Sequence, residues 1–346
     1  MNVVFLLEAG IPSYRNFLFN FLYENPSINQ LLIIHTGRIY DSKEGDYLDK
    51  RVKFIGSNKL GFHLGIWKYL WNADVVVSSY NLRIITCWIP SFIFRNKWIF
   101  WGKGLGENDN FLINFIRSIT ARNCRYILVY NEVKKKQLVS KMNVLEEKII
   151  AYQNTIKISH PIDFSKEKKS YFLYFGRIQK RKGLLELLAN YKLYIEEFQS
   201  SKSKLRFVGD GDFKKELIEY VKENKLDEYV EFFPGAYTEN EIKEHFKYAK
   251  VYVSPYNVGL AVINSFAYGV GVLTCSFPQV GPEFYYLNNL NSIIVEEINY
   301  FKDIFLKLDN ENVFDGEKLF EFYLNNLSYK IMERNFLDTI IKVGNE

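Results

Sequence analysis

Short runs of β-branched and aromatic residues alternate with amphipathic stretches along the whole chain. In the first half, the runs at residues 3–7, 30–35, 52–55, 74–78, 98–101, 125–129 and 149–152 predict strands, while 14–23, 111–121 and 132–141 carry helical spacing. The second half repeats this, with strands at 171–175, 205–208, 230–233, 251–254, 272–274 and 293–295 and helices at 183–198, 213–223, 239–249, 260–268 and 317–324. Such alternation predicts doubly wound parallel sheets. Near-continuous apolar strands fit sheets covered on both faces. Residues 154–169 show neither period and include Ser159, His160 and Pro161, so they read as a linker. The pattern predicts two Rossmann-like domains, 1–160 and 161–328, and a last helix, within 329–346, placed to pack back on the first.

A length of 346 residues agrees with two domains. Apolar residues at 48% and charged residues at 25% give the usual globular balance, which excludes disordered, collagen-like and small disulfide-scaffold chains. The net charge of +5 gives no footing to nucleic-acid binding. It hides an asymmetry: 21 basic against 12 acidic residues through His160, then 24 against 28. A basic first domain suits an anionic partner such as a phospholipid surface or a lipid pyrophosphate, or reflects uneven surface solvation. Cys87, Cys124 and Cys275 are odd in number and widely spaced, so neither a disulfide framework nor a metal spacing follows, and a reducing compartment is expected. The N-terminus has no basic segment before its short apolar run and reads as a strand, not a signal peptide. The apolar stretch 84–94 is too short to span a bilayer and reads as a buried core helix or a membrane-dipping one. A cytoplasmic protein is expected, with peripheral attachment open. The 25 Tyr and 29 Phe reflect a biased codon usage or an aromatic surface for sugars or lipids.

Three loops carry candidate chemistry. In YFLYFGRIQKRKG, residues 171–183, a strand ends at Gly176 and Arg177 and a helix begins near Gly183. Arg177 and Lys182 then sit at a strand's carboxyl end, where open α/β sheets bind ligands, and two cations beside a helix start suit a diphosphate. In RFVGDGDF, Asp210 and Asp212 form a D-x-D pair, open to a metal reading; the flanking glycines favour a tight turn that caps the following helix. In residues 251–274, Pro255-Tyr256-Asn257-Val258-Gly259-Leu260 follows a strand, Gly259 lets a backbone N–H approach a ligand, and Asn264 falls one turn into a helix, within reach of a ribose or sugar hydroxyl or merely on the helix surface.

Together these stretches resemble the C-terminal half of retaining glycosyltransferases of family 4, whose pattern runs G-R-x4-K-G, then G-x-G, then E-G-F-G-L-x3-E-A-x2-x-G-x-P-V, with a following P-E. Gly176, Arg177, Lys182 and Gly183 match the first, Gly209 and Gly211 the second, Gly259, Leu260, Ala267, Gly269 and Val272 the third, and Pro282-Glu283 the last. In the first half, Gly10-Ile11-Pro12-Ser13-Tyr14-Arg15, Trp101-Gly102-Lys103-Gly104 and Asn154-Thr155 are similar to the P-x-Y-R, W-G-H-G and N-T segments of bacterial surface-polysaccharide members. The family's two glutamates fall on Tyr256 and Asn264, its loop histidine on Lys103 and a proline on Gly271, so charges the family uses are replaced by neutral hydrogen-bonding groups.

The resemblance implies a GT-B fold, two Rossmann-like domains facing a central cleft. It implies transfer of a hexosyl group from a UDP- or GDP-sugar to a lipid-linked oligosaccharide with retention, in O-antigen or capsule synthesis, at the inner membrane face and without cofactor or metal. Arg177 and Lys182 would stabilise the leaving diphosphate. Gly176, Gly209, Asp210, Tyr256, Asn257, Val258, Gly259, Leu260, Asn264 and Glu283 would line the donor, and Gly10, Tyr14, Arg15 and Lys103 the acceptor. The replaced glutamates also fit a catalytically degenerate scaffold of the same fold. An epimerase of this architecture would need a histidine and carboxylates in the cleft, and none of His35, His63, His160 or His245 has such a context.

Overall fold

Parallel sheets form where the apolar runs lie, and the polar stretches between them become crossover helices. The computed structural model describes residues 1–37, 47–57, 60–105, 111–159, 169–197, 203–277 and 281–345. In chain order the elements are β1 (Asn2–Leu6), α1 (Asn16–Tyr23), β2 (Gln30–His35), β3 (Leu48–Arg51), β4 (Phe54–Gly56), β5 (Gly61–His63), α2 (Trp67–Asn72), β6 (Val75–Ser79), β7 (Trp98–Gly102), α3 (Phe111–Asn123), β8 (Tyr126–Val129), α4 (Glu132–Met142) and β9 (Ile149–Ala151). They continue as β10 (Tyr171–Phe175), α5 (Leu184–Glu197), β11 (Lys204–Val208), α6 (Lys214–Glu223), β12 (Val230–Phe233), α7 (Glu239–Lys247), β13 (Ala249–Val253), α8 (Ala261–Ala267), β14 (Gly271–Cys275), β15 (Ser292–Val295), α9 (Phe301–Asn310), α10 (Gly316–Asn326) and α11 (Tyr329–Gly344). The chain divides into two units: Met1–Lys157 with Ser328–Glu346, and Ile158–Leu327.

The first unit holds a seven-stranded sheet in the order β3-β2-β1-β6-β7-β8-β9, with every pair parallel. Alternate residues along each strand serve opposite faces. Val4, Leu6, Val76 and Phe100 face Leu70 and Leu138 on one side. Val3, Phe5, Val77 and Ile99 face Leu18, Phe19, Met332, Phe336 and Ile340 on the other. Residues of α11 therefore complete this core, and Phe336 meets Trp101 and Tyr152 edge-on at 5.3 and 5.0 Å.

The second unit has a six-stranded parallel sheet in the order β12-β11-β10-β13-β14-β15. Its core is built on Phe172, Tyr174, Tyr191, Tyr194, Phe207 and Phe305, all buried. Much of the aromatic excess thus lies in strand and helix cores.

Several elements depart from the sequence pattern. The strand expected at 52–55 is reduced to β4, which begins at Phe54 and pairs antiparallel with β5, and the unpredicted β3, whose four residues are all exposed, lies before it at the sheet edge. An edge strand with sequence Leu-Asp-Lys-Arg gives no hydrophobic signal, and its charges suit an unpaired edge. Helix α9 was unpredicted although Phe301, Phe305 and Leu308 are buried at helical spacing. The expected helix at 84–94 does not form. Instead short 3-10 turns run through Ile85–Cys87 and Ile89–Phe92, with Pro90 denying an N–H to a longer helix. Cys87, Pro90 and Ser91 are buried, while Ile89, Phe92 and Ile93 are exposed. The body of the expected linker, with His160 and Pro161, lies outside the described residues.

Candidate active site

In the second sheet the chain winds outward from β10 through β11 to β12, then returns to lay β13 on the other side of β10. The loops after β10 and β13 therefore leave in opposite directions and open a crevice at the carboxyl ends of the strands, the usual ligand position in such sheets. The Gly-Arg and Pro-Tyr-Asn-Val-Gly segments are these two loops.

The loop after β10 is zipped to the loop after β11. Gly176 N donates to Val208 O and Ile178 N to Asp210 O, both at 2.9 Å. The glycines of the G-x-G segment make this approach possible. A Cβ on Gly209 would lie 2.0 Å from Gly176 O, and one on Gly211 would lie 1.9 Å from Ile178 O. The Gly176 and Gly209 φ values, +138° and +151°, also belong to glycine. Arg177 is exposed at the rim, and its carbonyl accepts from Tyr174 Oη at 2.7 Å.

Lys182 ends a single 3-10 turn, Lys180–Lys182, and its Nζ donates to Asn257 O in the loop after β13. One lysine thus bridges both walls of the crevice. Burial pushes its pKa down to about 8; neighbouring Arg181 adds to the fall, and the Glu283 carboxylate opposes it. Glu283 is buried in the turn Pro282–Tyr286. Asn257 adopts φ +57°, which aims its carbonyl at the lysine side of the crevice in a conformation asparagine tolerates.

Tyr256 lies across Gly183, where a Cβ would stand 2.4 Å from its ring. Val258 is buried. Around Gly259 a Cβ would meet nothing within 4 Å, so this glycine borders open space. The N–H groups of Gly259 and Leu260 make no hydrogen bond to the described residues. Asn264, in α8, is buried instead of lying on the helix surface, and its side chain makes no hydrogen bond among the described residues.

Two expectations need correction. Asp210 and Asp212 do not cap α6, whose N-cap residue is Phe213 and makes no side-chain cap. Asp210 instead accepts from Lys214 Nζ and Gly235 N, each at 2.8 Å, and these bonds hold its carboxyl below the usual range. It ties the loop after β11 to the loop after β12. Arg15 is not an exposed acceptor contact. It is buried, donating to Thr155 O at 3.0 Å and to Asn154 Oδ1, with Met332 Sδ also in reach. The Asn-Thr segment before the linker is therefore the partner of this arginine, a pairing that one sequence does not reveal.

Among the other first-unit candidates, Gly10 is buried, while Tyr14 and Lys103 are exposed. Gly104 takes φ +79°, and its carbonyl accepts from Arg117 Nη1 at 3.0 Å, which fixes the loop carrying Lys103. Among the described residues, no three His, Cys, Asp or Glu side chains gather as a metal site.

Residues 156–294 match the family described as glycosyl transferases group 1, a span that holds the whole crevice of the second unit. No curated protein matches the chain. Solved structures match it end to end. A glycosyltransferase from Rickettsia africae superposes with TM-score 0.74 at 13% identity, over 99% of this chain and 98% of that one. Anabaena HepE in complex with UDP gives TM-score 0.72 at 13% identity, over 99% and 100%. The lipopolysaccharide outer core galactosyltransferase WaaB gives 0.66 at 14%, over 99% of both. The chain therefore has the GT-B fold of these glycosyltransferases, with a glycosyl transferases group 1 segment covering residues 156–294.

Proposed function

We propose that the protein is a retaining hexosyltransferase that moves a sugar from a UDP- or GDP-sugar to a hydroxyl of a lipid-linked oligosaccharide, in O-antigen or capsule synthesis. The observation that carries this reading is Lys182, held across the crevice of the second unit with Arg177 at its rim. With its pKa near 8 the lysine is largely protonated at neutral pH, and both cations would stabilise the charge that grows on a departing diphosphate. The free N–H groups of Gly259 and Leu260 border the same opening. Asn264 would orient the ribose, with Glu283 and Tyr256 framing the sugar. Transfer without a metal is part of this reading, because the two cations meet the diphosphate charge. The group 1 match and the UDP and UDP-glucose complexes of HepE support a nucleotide-sugar donor.

A lipid-linked acceptor places the enzyme at the cytoplasmic face of a membrane by peripheral contact. The exposed Phe111, Leu112, Ile113 and Phe115 at the start of α3 support this. No helix among the described residues is long and apolar enough to cross a membrane.

The test is sugar transfer with purified protein, a panel of nucleotide sugars and an undecaprenyl-pyrophosphate-linked acceptor. Arg177→Ala and Lys182→Ala should each lose at least about tenfold in kcat/KM, roughly 1.4 kcal/mol. Unchanged rates in both would remove the site assignment. The neutral Tyr256 and Asn264 favour one competing reading, a degenerate scaffold; it requires that neither UDP nor GDP raises the melting temperature.

A further inference from the structure

The apolar stretch 84–94 is held to the first unit by its inner side. Ser78 Oγ donates to Cys87 O at 2.8 Å, Trp88 Nε1 to Leu82 O at 3.1 Å and Asn123 Nδ2 to Ser91 O at 3.0 Å. Cys87, Pro90, Ser91 and Phe94 are buried, which leaves Ile89, Phe92 and Ile93 exposed on a fixed backbone. Helix α2 stands beside this segment. Trp67 and Trp71 lie about one turn apart on it, and their rings meet Phe94 with centroids at 6.4 and 4.9 Å. Both indoles remain exposed, Trp71 by 64%. Trp67, Trp71 and Ile93 thus adjoin Phe94, with Phe92 and Ile89 along the same segment. Single exposed apolar residues are ordinary, but a contiguous set on a pinned scaffold marks an interaction surface.

The charges of this part of the chain are nearly all of one sign. The described segment 60–105 carries Lys68, Arg83, Arg95, Lys97 and Lys103 against a single acid, Asp74. Asp74 Oδ2 accepts from Asn2 N at 2.6 Å, and Lys97 Nζ donates inward to Ala73 O at 2.6 Å. Lys68, Arg83 and Arg95 are exposed and make no ion pair among the described residues. An isologous contact between two copies of this surface would set such cations against each other, so charge opposes self-association. An anionic headgroup layer meets both features, since it takes indoles at the boundary of its acyl chains and pairs its phosphates with the flanking cations.

We infer that Trp67, Trp71, Ile89, Phe92 and Ile93, flanked by Lys68 and Arg95, form a docking surface for an anionic phospholipid bilayer, with the two indoles seated at headgroup level. The apolar side chains supply the attraction and the cations select the lipid charge. This rests on the glycosyl-transfer reading only in the lipid-linked acceptor as the reason for membrane residence. The surface itself stands on the geometry of the first unit, and it adds a face that the start of α3 does not include.

The experiment is cosedimentation of the full-length protein with vesicles of phosphatidylcholine alone and of equal parts phosphatidylcholine and phosphatidylglycerol, alongside tryptophan quenching by brominated lipid. The wild type should bind the anionic vesicles at least about tenfold more tightly than the neutral ones, and the brominated lipid should quench its emission. Trp71→Ser combined with Ile93→Ser should weaken anionic-vesicle binding at least about tenfold. Lys68→Gln combined with Arg95→Gln changes only exposed side chains, so it should melt with the wild type and also lose at least about tenfold. Unchanged binding in either double variant, absent quenching, or a wild type that binds neither vesicle overturns the inference. So does a concentration-dependent dimer that the two serines abolish. Absent binding of UDP and GDP, with vesicle binding still lost in both variants, sinks the transferase reading instead and leaves this surface standing.

Discussion

A lysine that donates to a backbone carbonyl in a half-buried crevice holds its charge against desolvation, and Lys182 is in that position. Its pKa falls from 10.5 to about 8, so folding loosens the amine's hold on its proton while leaving it mainly charged at neutral pH. Between these values the unfolded chain binds more protons than the folded one, and stability rises with pH; below about 8 the cost is present in full. Lys182→Met is therefore expected to melt at an equal or higher temperature than wild type at pH 7, with any gain shrinking toward pH 10, while donor turnover falls at least about tenfold. For the wild type, kcat/KM for the donor should decline above pH about 8, and Lys182→Arg should move that decline upward. A pH profile that is flat through this range in wild type contradicts the role. The two cations were legible because they follow an apolar strand and a glycine. Arg15 was misread because its partners, Asn154 and Thr155, are distant in sequence and meet it only in the fold.

At the scale of elements, the same residue type serves two purposes in neighbouring loops. Gly209 exists for the fold, since any side chain there strikes the Gly176 carbonyl. Gly209→Ala should destabilise by about 1–3 kcal/mol, read as a lower melting temperature. Gly259 borders open space, so Gly259→Ala should leave the melting temperature unchanged and raise the donor KM. Equal melting temperatures for both variants would refute this division. Helix α11 gives a second prediction. Burial pushes the Glu333 carboxyl up to about 7, against the pull of Lys157 and Lys330. Its folded state favours the protonated form, so stability from this group is present below its unfolded pKa and lost as pH rises through about 7. Glu333→Gln should raise the melting temperature more at pH 8 than at pH 5, and the reverse order would remove the assignment. The parallel pairing and the crossover helices at the predicted positions followed from the apolar periods. β3 and the 3-10 turns around Pro90 did not, because the first has no apolar face and the second buries only part of an apolar run.

At the scale of the whole molecule, the second unit carries a cationic crevice, and the basic first unit has a helix, α3, that begins with exposed apolar residues. Phe111 is 84% exposed and Phe115 52%, so replacing both with Ser costs little core packing. The double variant should fold normally and lose at least about tenfold in binding to phosphatidylglycerol-containing vesicles, since burying one such side chain contributes about 1.5–3 kcal/mol. Unchanged vesicle binding would argue against this face. The fold class and the second-unit crevice were readable from four ordered motifs. The G-x-G glycines have a structural explanation that the motif alone does not give. The central claim, that the crevice between the loops after β10 and β13 holds a nucleotide diphosphate, is tested most directly by titration calorimetry with UDP and GDP. One of the two should bind the wild type, and Lys182→Ala should weaken it at least about tenfold. No binding of either nucleotide, or equal affinity in the variant, would contradict it.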